Sequence, residues 1–432
     1  RFWECHLTIP GELDVYGVSL LGTPGVQMGF NEHIGWCHTF SGGNRFTLSR
    51  LDLVAGEPTR YRHGTDTLEM EAATHRVRAS VDGQVTEVER TLWSSHIGPM
   101  VNLPLVGWGL DVGYTYRDAN IDNTAVLEQF LAMNRATGMD DFQASFARIQ
   151  GMPWVNTLVA DRTGRAWYID ASATPNLSPA AQARFRVRVE DDLIAALLYE
   201  NRVPLLDGSE PDDDWIDDPT ANRPGVVGHP HLPQVERRDF VANANDSHWL
   251  TNPAEPLEGY SAFHGFERTA RTLRTRQNLR VVQRLADSGG ATVEQVLATV
   301  LDNASLSAEL LRDDVVARCR AVGSFPVDDE VIDLHVAADV LAAWDGRFDL
   351  DSVGAVLWRE FMAGFPAADI RSGGSLFAHP YDPADPVATP RGLAPEVEGF
   401  DPAVLALAAA VVHLRQAGVA VDTRLGDVQW AQ

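Results

Sequence analysis

The order in which two hydrophobic periods appear along the chain restricts its fold most. Over residues 1 to about 120, apolar and polar side chains alternate, as in His6-Leu7-Thr8-Ile9 and Phe46-Thr47-Leu48-Ser49-Arg50-Leu51. That is the period of a strand with one face buried. Val81-Asp82-Gly83-Gln84-Val85 reads as a hairpin turn between strands Thr74–Val81 and Val85–Trp93. Helical spacing follows over Asn123–Asn134, with Val126, Leu127, Phe130, Leu131 and Met133 apolar, and then over Asp140–Ile149. Two strands, Asn156–Ala160 and Ala166–Asp170, flank the turn Asp161-Arg162-Thr163-Gly164. From residue 266 the period lengthens for good. Helices are predicted at Glu267–Ala286, from the capping box Thr292-Val293-Glu294-Gln295, and near 308–321, 329–344, 353–363 and 402–416. Strands first and helices later make an α+β chain. The predicted division is a β-rich part, 1–265, and a helix-rich part, 266–432. The acidic, Pro/Gly-rich run DGSEPDDDWIDDPTANRPGVVGHP, about 207–230, is read as a surface loop of the first.

A 45% hydrophobic, 22% charged composition belongs to a core-forming globular protein. No apolar run reaches membrane-spanning length. A formal net charge of −25 repels polyanions, so neither nucleic acid nor an anionic membrane is expected as a partner. All 35 basic residues are Arg, which reflects genomic composition rather than mechanism. Cys5, Cys37 and Cys319 are too few, and odd in number, for a disulfide framework. They are read as buried free thiols, with a Cys5–Cys37 bridge open only if their strands are neighbours. Arg1 opens inside an apparent strand, RFWECHLTIP, and RLGDVQWAQ closes no element, so the chain is expected to be a fragment of a longer product.

The usual catalytic signatures are missing: no G-x-S-x-G elbow, no Walker loop and no G-x-G-x-x-G. His33 and His38 flank Ile34-Gly35-Trp36-Cys37 at a spacing that suits opposite faces of a strand better than a zinc site. His229-Pro230-His231 reads as a loop. Two other stretches stand out. In RRDFVANANDSHWLTNP a knot of small polar side chains, Asn243-Ala244-Asn245-Asp246-Ser247, sits between apolar anchors. Turn chemistry explains such residues most simply, since they bond to their own backbone. A rigidly held Asn would also serve as an uncharged donor to an oxyanion. In LLGTPGVQMGFNEHIGWCHTFSGGNRFTLSRL a strand ends in Thr39-Phe40-Ser41-Gly42-Gly43. The two glycines free the backbone for close approach by a ligand.

Five blocks occur in order: RFWECHLTIPGELDVYGVSLLG, GTPGVQMGFNEHIGWCHTFSGGNRFTLSRLDL, RDANIDNTAVLEQF, GMPWVNTLVADRTGRAWYIDAS and RRDFVANANDSHWLTNP. Together they resemble the β chain of the penicillin acylase family, N-terminal-nucleophile hydrolases, and most nearly its acyl-homoserine-lactone and aculeacin A acylase branch. The likeness covers most of the chain to about residue 280 and is mainly helical pattern beyond. It implies an αββα sandwich, two antiparallel sheets between helices. It implies an amide hydrolase cut from a precursor, whose new N-terminal Ser attacks an amide carbonyl while its own α-amine acts as base. An amine of pKa near 8 is partly neutral at physiological pH and can do so.

Arg1 is not a nucleophile. By the resemblance the Ser lies upstream, a separate α chain from the same precursor is the partner, and the chain alone is inactive. Carried over residue by residue, Asn245 would be the oxyanion side chain and Phe40 the oxyanion backbone N–H. Asn243 would support the loop or be a turn residue. Arg271, with Arg268 as alternative, would orient the site. Phe130, Trp154 and Val155 would line an apolar acyl pocket, which favours fatty-acyl amides such as acyl-homoserine lactones or lipopeptides. Penicillin and cephalosporin side chains are the alternative substrates, and a non-catalytic binding protein is the alternative of another class. Ser41-Gly42-Gly43-Asn44-Arg45 lacks the Asp residues with which penicillin acylases hold calcium, so no calcium is expected at that site; no metal ligand and no cofactor is assigned, and calcium elsewhere is left open. The family location is periplasmic or secreted.

Overall fold

Alternation over the first hundred residues is realised as strands: β1 (Phe2–Ile9), β2 (Leu13–Leu20), β3 (Met28–Phe30), β4 (Ile34–Phe40), β5 (Phe46–Val54), β6 (Glu57–His63), β7 (Asp66–Glu69), β8 (Glu71–Val81), β9 (Gln84–Ser94), β10 (Met100–Val101) and β11 (Val112–Asp118). Helices α1 (Val126–Arg135) and α2 (Met139–Ile149) lead into β12 (Val155–Asp161) and β13 (Ala166–Asp170). Then come α3 (Pro179–Asp191), α4 (Leu193–Glu200), β14 (Leu205–Asp207) and β15 (Gln234–Arg237). The computed structural model describes residues 2–104, 106–327 and 330–429. They separate into two units: one runs to Thr251 and adds Glu255–Glu267, the other takes Asn252–Ala254 and Arg268 onward.

In the first unit one sheet has the order β1-β2-β3-β4-β12-β13-β15, antiparallel throughout. A second has the order β10-β11-β5-β6-β7. It departs from the all-antiparallel expectation at one point, where β14 pairs parallel to β5. The hairpin β8–β9 forms a ribbon of its own around the Asp82-Gly83 turn. Alternation decides which face is buried. Ile34 and Trp36 of β4 join Val159, Trp167 and Ile169 on one face of the first sheet, where Phe130, Met133, Phe142 and Phe146 of α1 and α2 cover them. Phe185 of α3 and Ala195 of α4 pack on Leu206, Leu205 and Leu48 of the second sheet. Each sheet thus carries its own helix pair, and the layer order is helix, sheet, sheet, helix. The chain passes from one sheet to the other between Phe40 and Phe46.

The sequence pattern predicts no helix between Asp170 and Asp207, yet α3 and α4 lie there, capped by Ser178, which accepts from Ala181 N, and by Asp192, which accepts from Ile194 N and Ala195 N. The acidic run is closely docked. Asp213 is fully buried against Arg184 and Arg188, and Trp215 Nε1 donates to Thr47 Oγ1 at 3.2 Å. The thiols are a second correction. Cys319 is buried, but Cys5 is only half-buried and Cys37 is exposed. All three are free. Two strands separate β1 from β4, which rules out the bridge.

The second unit contains α5 (Leu273–Asp287), α6 (Val293–Val300), α7 (Leu306–Val322), β16 (Ser324–Val327), β17 (Glu330–Asp333), α8 (His335–Ala343), α9 (Ala355–Ala363), α10 (Ala367–Ser372), β18 (Phe377–His379), β19 (Arg391–Leu393) and α11 (Pro402–Gln416). Trp344, Trp358, Phe361, Leu341, Val315 and Leu407 form its core. Thr292 and Gln295 cap α6 reciprocally, as its sequence predicts. The helix predicted over 329–344 is half a hairpin: β16 and β17 precede α8, and Asp329 itself lies outside the described residues. The helix predicted from Glu267 starts six residues later. Thr272 caps it, accepting from Thr275 N at 3.2 Å, whereas the Glu267 carboxylate is held by Gly259 N and Tyr260 N. No described helix is long and apolar enough to cross a membrane.

Candidate active site

Phe40 ends β4 opposite Val155 of β12. Ser41 N donates to Trp154 O at 3.1 Å. Hydrogen-bonded and non-bonded pairs alternate in an antiparallel ladder. The Phe40 N–H therefore points to the side of β4 away from β12. The Phe40 side chain is 67% exposed. Here a backbone donor is displayed at a strand end, next to a half-buried Asn loop.

That loop is built by Asn243. Its Oδ1 accepts from Thr39 Oγ1 at 2.6 Å, from Asn245 N at 2.9 Å and from Asn156 Nδ2 at 3.1 Å. Its Nδ2 donates to Asp246 O at 3.0 Å. The turn chemistry is real, and it holds the Asn245 backbone N–H. Asn245 adopts φ +65°, a left-handed backbone that Asn tolerates better than most residues. The turn expected for this stretch is present, and it holds the backbone of Asn245.

Asn156 ties the loop to the strand. It is fully buried in β12. Its Nδ2 lies 2.9 Å from Thr39 Oγ1, 3.1 Å from Phe40 O, 3.1 Å from Asn243 Oδ1 and 3.4 Å from Asp246 O, four acceptors for two hydrogens. Tyr168 Oη donates to its Oδ1 at 2.6 Å. The reading of the sequence treats Asn156 only as the start of a strand. The available signal was an amide inside the apolar run Trp154-Val155-Asn156-Thr157-Leu158-Val159, a buried polar group that requires partners.

The Gly42-Gly43 turn is held from below. Ser41 Oγ donates to the buried Asp170 carboxylate at 2.6 Å and accepts from Gly43 N at 2.8 Å. Burial pushes the Asp170 carboxyl up, against the bonds from Ser172 and Ser41. Gly42 is needed, and for packing against the protein itself. A Cβ on Gly42 would lie 2.8 Å from both Cα and N of Ser247. A Cβ on Gly265, at φ +111°, would lie 2.9 Å from Ser247 Cβ. Three backbone segments meet there without intervening side chains.

The pocket candidates divide. Val155 faces Phe40 across the ladder and packs beside the helix-side core. Trp154 is 39% exposed, with the Arg45 guanidinium 4.9 Å over its ring. Phe130 is 6% exposed in the core under α1, and its ring meets the edge of His38 at 5.8 Å. His38 is pushed down to about 4 by burial and so stays neutral. His33 precedes β4 and does not join it. Arg268 and Arg271 belong to the second unit and lie in the lead-in to α5, not on the helix as its predicted span requires. Arg271 is 4% exposed and donates to Thr269 Oγ1 at 2.9 Å; Arg268 has φ +54°.

The family model described as penicillin amidase matches residues 1–432. An acyl-homoserine lactone acylase PvdQ of Pseudomonas fluorescens (strain Pf0-1) is 37% identical over 99% of this chain and 53% of its own. The aculeacin-A acylase of Actinoplanes utahensis is 37% identical over 90% and 48%. The chain thus spans about half the length of the curated relatives it matches. Among solved structures, a thermostable penicillin G acylase from Alcaligenes faecalis superposes with TM-score 0.61 at 17% identity, over 96% of this chain and 73% of its own. That likeness concerns the fold, the αββα sandwich of the N-terminal-nucleophile hydrolases. With the family model matched from end to end and whole-chain identity above a third, this chain belongs to the penicillin amidase family.

Proposed function

We propose that the protein containing this chain is an acylase that removes a fatty-acyl chain from an amine. The observation that carries this reading is the shared cluster around Asn156, whose buried amide holds Phe40 directly and the Asn245 backbone through Asn243, in a chain of this family. The Phe40 N–H and the Asn245 side-chain amide would hold the oxygen of the tetrahedral intermediate. The nucleophile would be an N-terminal Ser upstream, its α-amine the base, and water would release the acyl-enzyme. Arg271, or else Arg268, would orient that amine. A separate α chain would complete the site, and the enzyme would be exported to the periplasm or secreted.

Fatty-acyl amides are favoured because Trp154 and the partly buried Val155 offer apolar surface, with Phe130 in the core behind them, and relatives of this similarity are named for acyl-homoserine lactones and aculeacin A. Each methylene buried contributes about 0.8 kcal/mol, so kcat/KM should climb with acyl length until the pocket is full. A preference for phenylacetyl or glutaryl amides instead would make β-lactam side chains the substrate.

The test uses the complete gene product. N-terminal sequencing should find a chain starting at Ser upstream of Arg1, beside a separate α chain. Asn245→Ala should lower kcat on a lauroyl amide by more than about a hundredfold. A loss below about tenfold would remove Asn245 from the oxyanion site.

A further inference from the structure

His63, His96 and Asp214 converge from three distant segments of the first unit. His63 ends β6, His96 follows β9, and Asp214 follows the buried Asp213 of the acidic run. Each offers one ligand atom, and these atoms all lie within 4.8 Å of one another. His63 Nε2 is 3.0 Å from Asp214 Oδ2, and His96 Nε2 is 3.4 Å from Asp214 Oδ1. The two rings stand edge to face with centroids 4.4 Å apart. Sequence spacing hides the group, since 118 residues separate His96 from Asp214 and 151 separate His63 from it.

The surroundings hold these side chains in place. Tyr61, buried in the core of the second sheet, lies with Oη 2.9 Å from His96 Nδ1 and accepts the His96 backbone N–H at 2.9 Å. Its ring stacks on the imidazole at 11°. With Nδ1 engaged, Nε2 is the ring atom turned to the carboxylate. Metal-bound histidines are oriented in the same manner, by a partner on the far nitrogen. Asp214 is fixed by its neighbours: Asp213 by Arg184 and Arg188, Trp215 by Thr47, and the start of the loop by Gly64 N donating to Ser209 O at 2.8 Å. The three side chains keep 19%, 28% and 32% exposure, so water can reach them.

We propose that His63, His96 and Asp214 bind one divalent zinc-class ion, through two imidazole nitrogens and one carboxylate oxygen, with water completing the tetrahedron. Two nitrogens and one oxygen suit zinc and its late first-row neighbours. They do not suit calcium or magnesium, which take oxygen ligands. The ion would staple the acidic loop to the end of β6 in the second sheet.

The test is titration of the complete, chelator-treated protein with zinc, followed by calorimetry and thermal unfolding. One equivalent should bind and raise the melting temperature by several degrees. Calcium should do neither. Cobalt should bind at the same site with a visible tetrahedral spectrum. His63→Gln, His96→Gln and Asp214→Asn should each lower zinc affinity by about a hundredfold. Tyr61→Phe keeps the buried ring and should lower it by about tenfold, as removal of an outer partner does. Absence of saturable zinc binding in the unaltered protein would overturn the proposal. So would binding of calcium instead, or zinc binding that all four variants leave unchanged, which would place the ion on other histidines. None of these readouts depends on acylase activity.

Discussion

Asn156 is fully buried, so its amide has only the protein for partners. It holds β4 through Phe40 O and the Asn loop through Asn243 and Asp246. Truncation to alanine would remove the acceptor of the Tyr168 hydroxyl bond and release the loop from the strand. Asn156→Ala should therefore cost about 1–3 kcal/mol in urea unfolding, the penalty of orphaned buried polar groups. In the proposed reading it should also lower kcat while leaving KM nearly unchanged, because the misplaced donors would meet charge that develops only in the transition state. Equal losses in the variant's binding and turnover would mark Asn156 as plain scaffolding. Residues of this kind are the least legible in a sequence. Asn243 and Asn245 were visible as a polar knot, but the bonds that give the knot meaning reach across 87 to 204 positions. Ser41 and Asp170 escaped for the same reason, at a separation of 129.

At the scale of elements, local chemistry was readable wherever it decided the structure alone. Asp82-Gly83 closes β8–β9 and Thr292 with Gln295 opens α6, both from short-range rules. It misled where two local signals competed. Phe185-Arg186-Val187-Arg188-Val189 alternates like a strand, yet Ser178 and Pro179 start a helix that carries through it. Glu267 looked like the first turn of α5 until its carboxylate found Gly259 and Tyr260. The Gly42 turn is an element-scale device with a testable consequence. A methyl group there would press on the Ser247 backbone at 2.8 Å, and backbone cannot rotate aside. Gly42→Ala should lower kcat by at least about tenfold, since displacement by about an ångström at a catalytic group has that order of effect. Gly138→Ala, where a Cβ meets nothing within 4 Å and the backbone is extended at φ 166°, is the control for glycine loss as such and should leave kcat unchanged.

The whole molecule should be sensitive to mild acid. His38 is pushed down to about 4 and His264 to about 3, both chiefly by burial. The unfolded chain takes up these protons near the ordinary value of 6.5, and the folded chain refuses them until far lower pH. Stability is thus fully present above about 6.5 and falls as pH drops toward 4. Asp170, raised by burial, acts in the opposite sense. The urea midpoint should be lower at about pH 5 than at about pH 7.5, and His38→Gln should shrink the difference. An unchanged difference in that variant would remove His38 from the account.

The meeting of Gly42, Ser247 and Gly265 also bears on how such an enzyme changes over generations. In the proposed reading the charge-stabilising frame is written in main chain and buried amides, whereas Trp154 lies at the accessible surface. Mutation can therefore revise what the protein recognises without disturbing how it reacts. A library that randomises Trp154 and Val155 while sparing Asn156, Gly42 and Gly265 would search new substrates from a preserved chemical starting point.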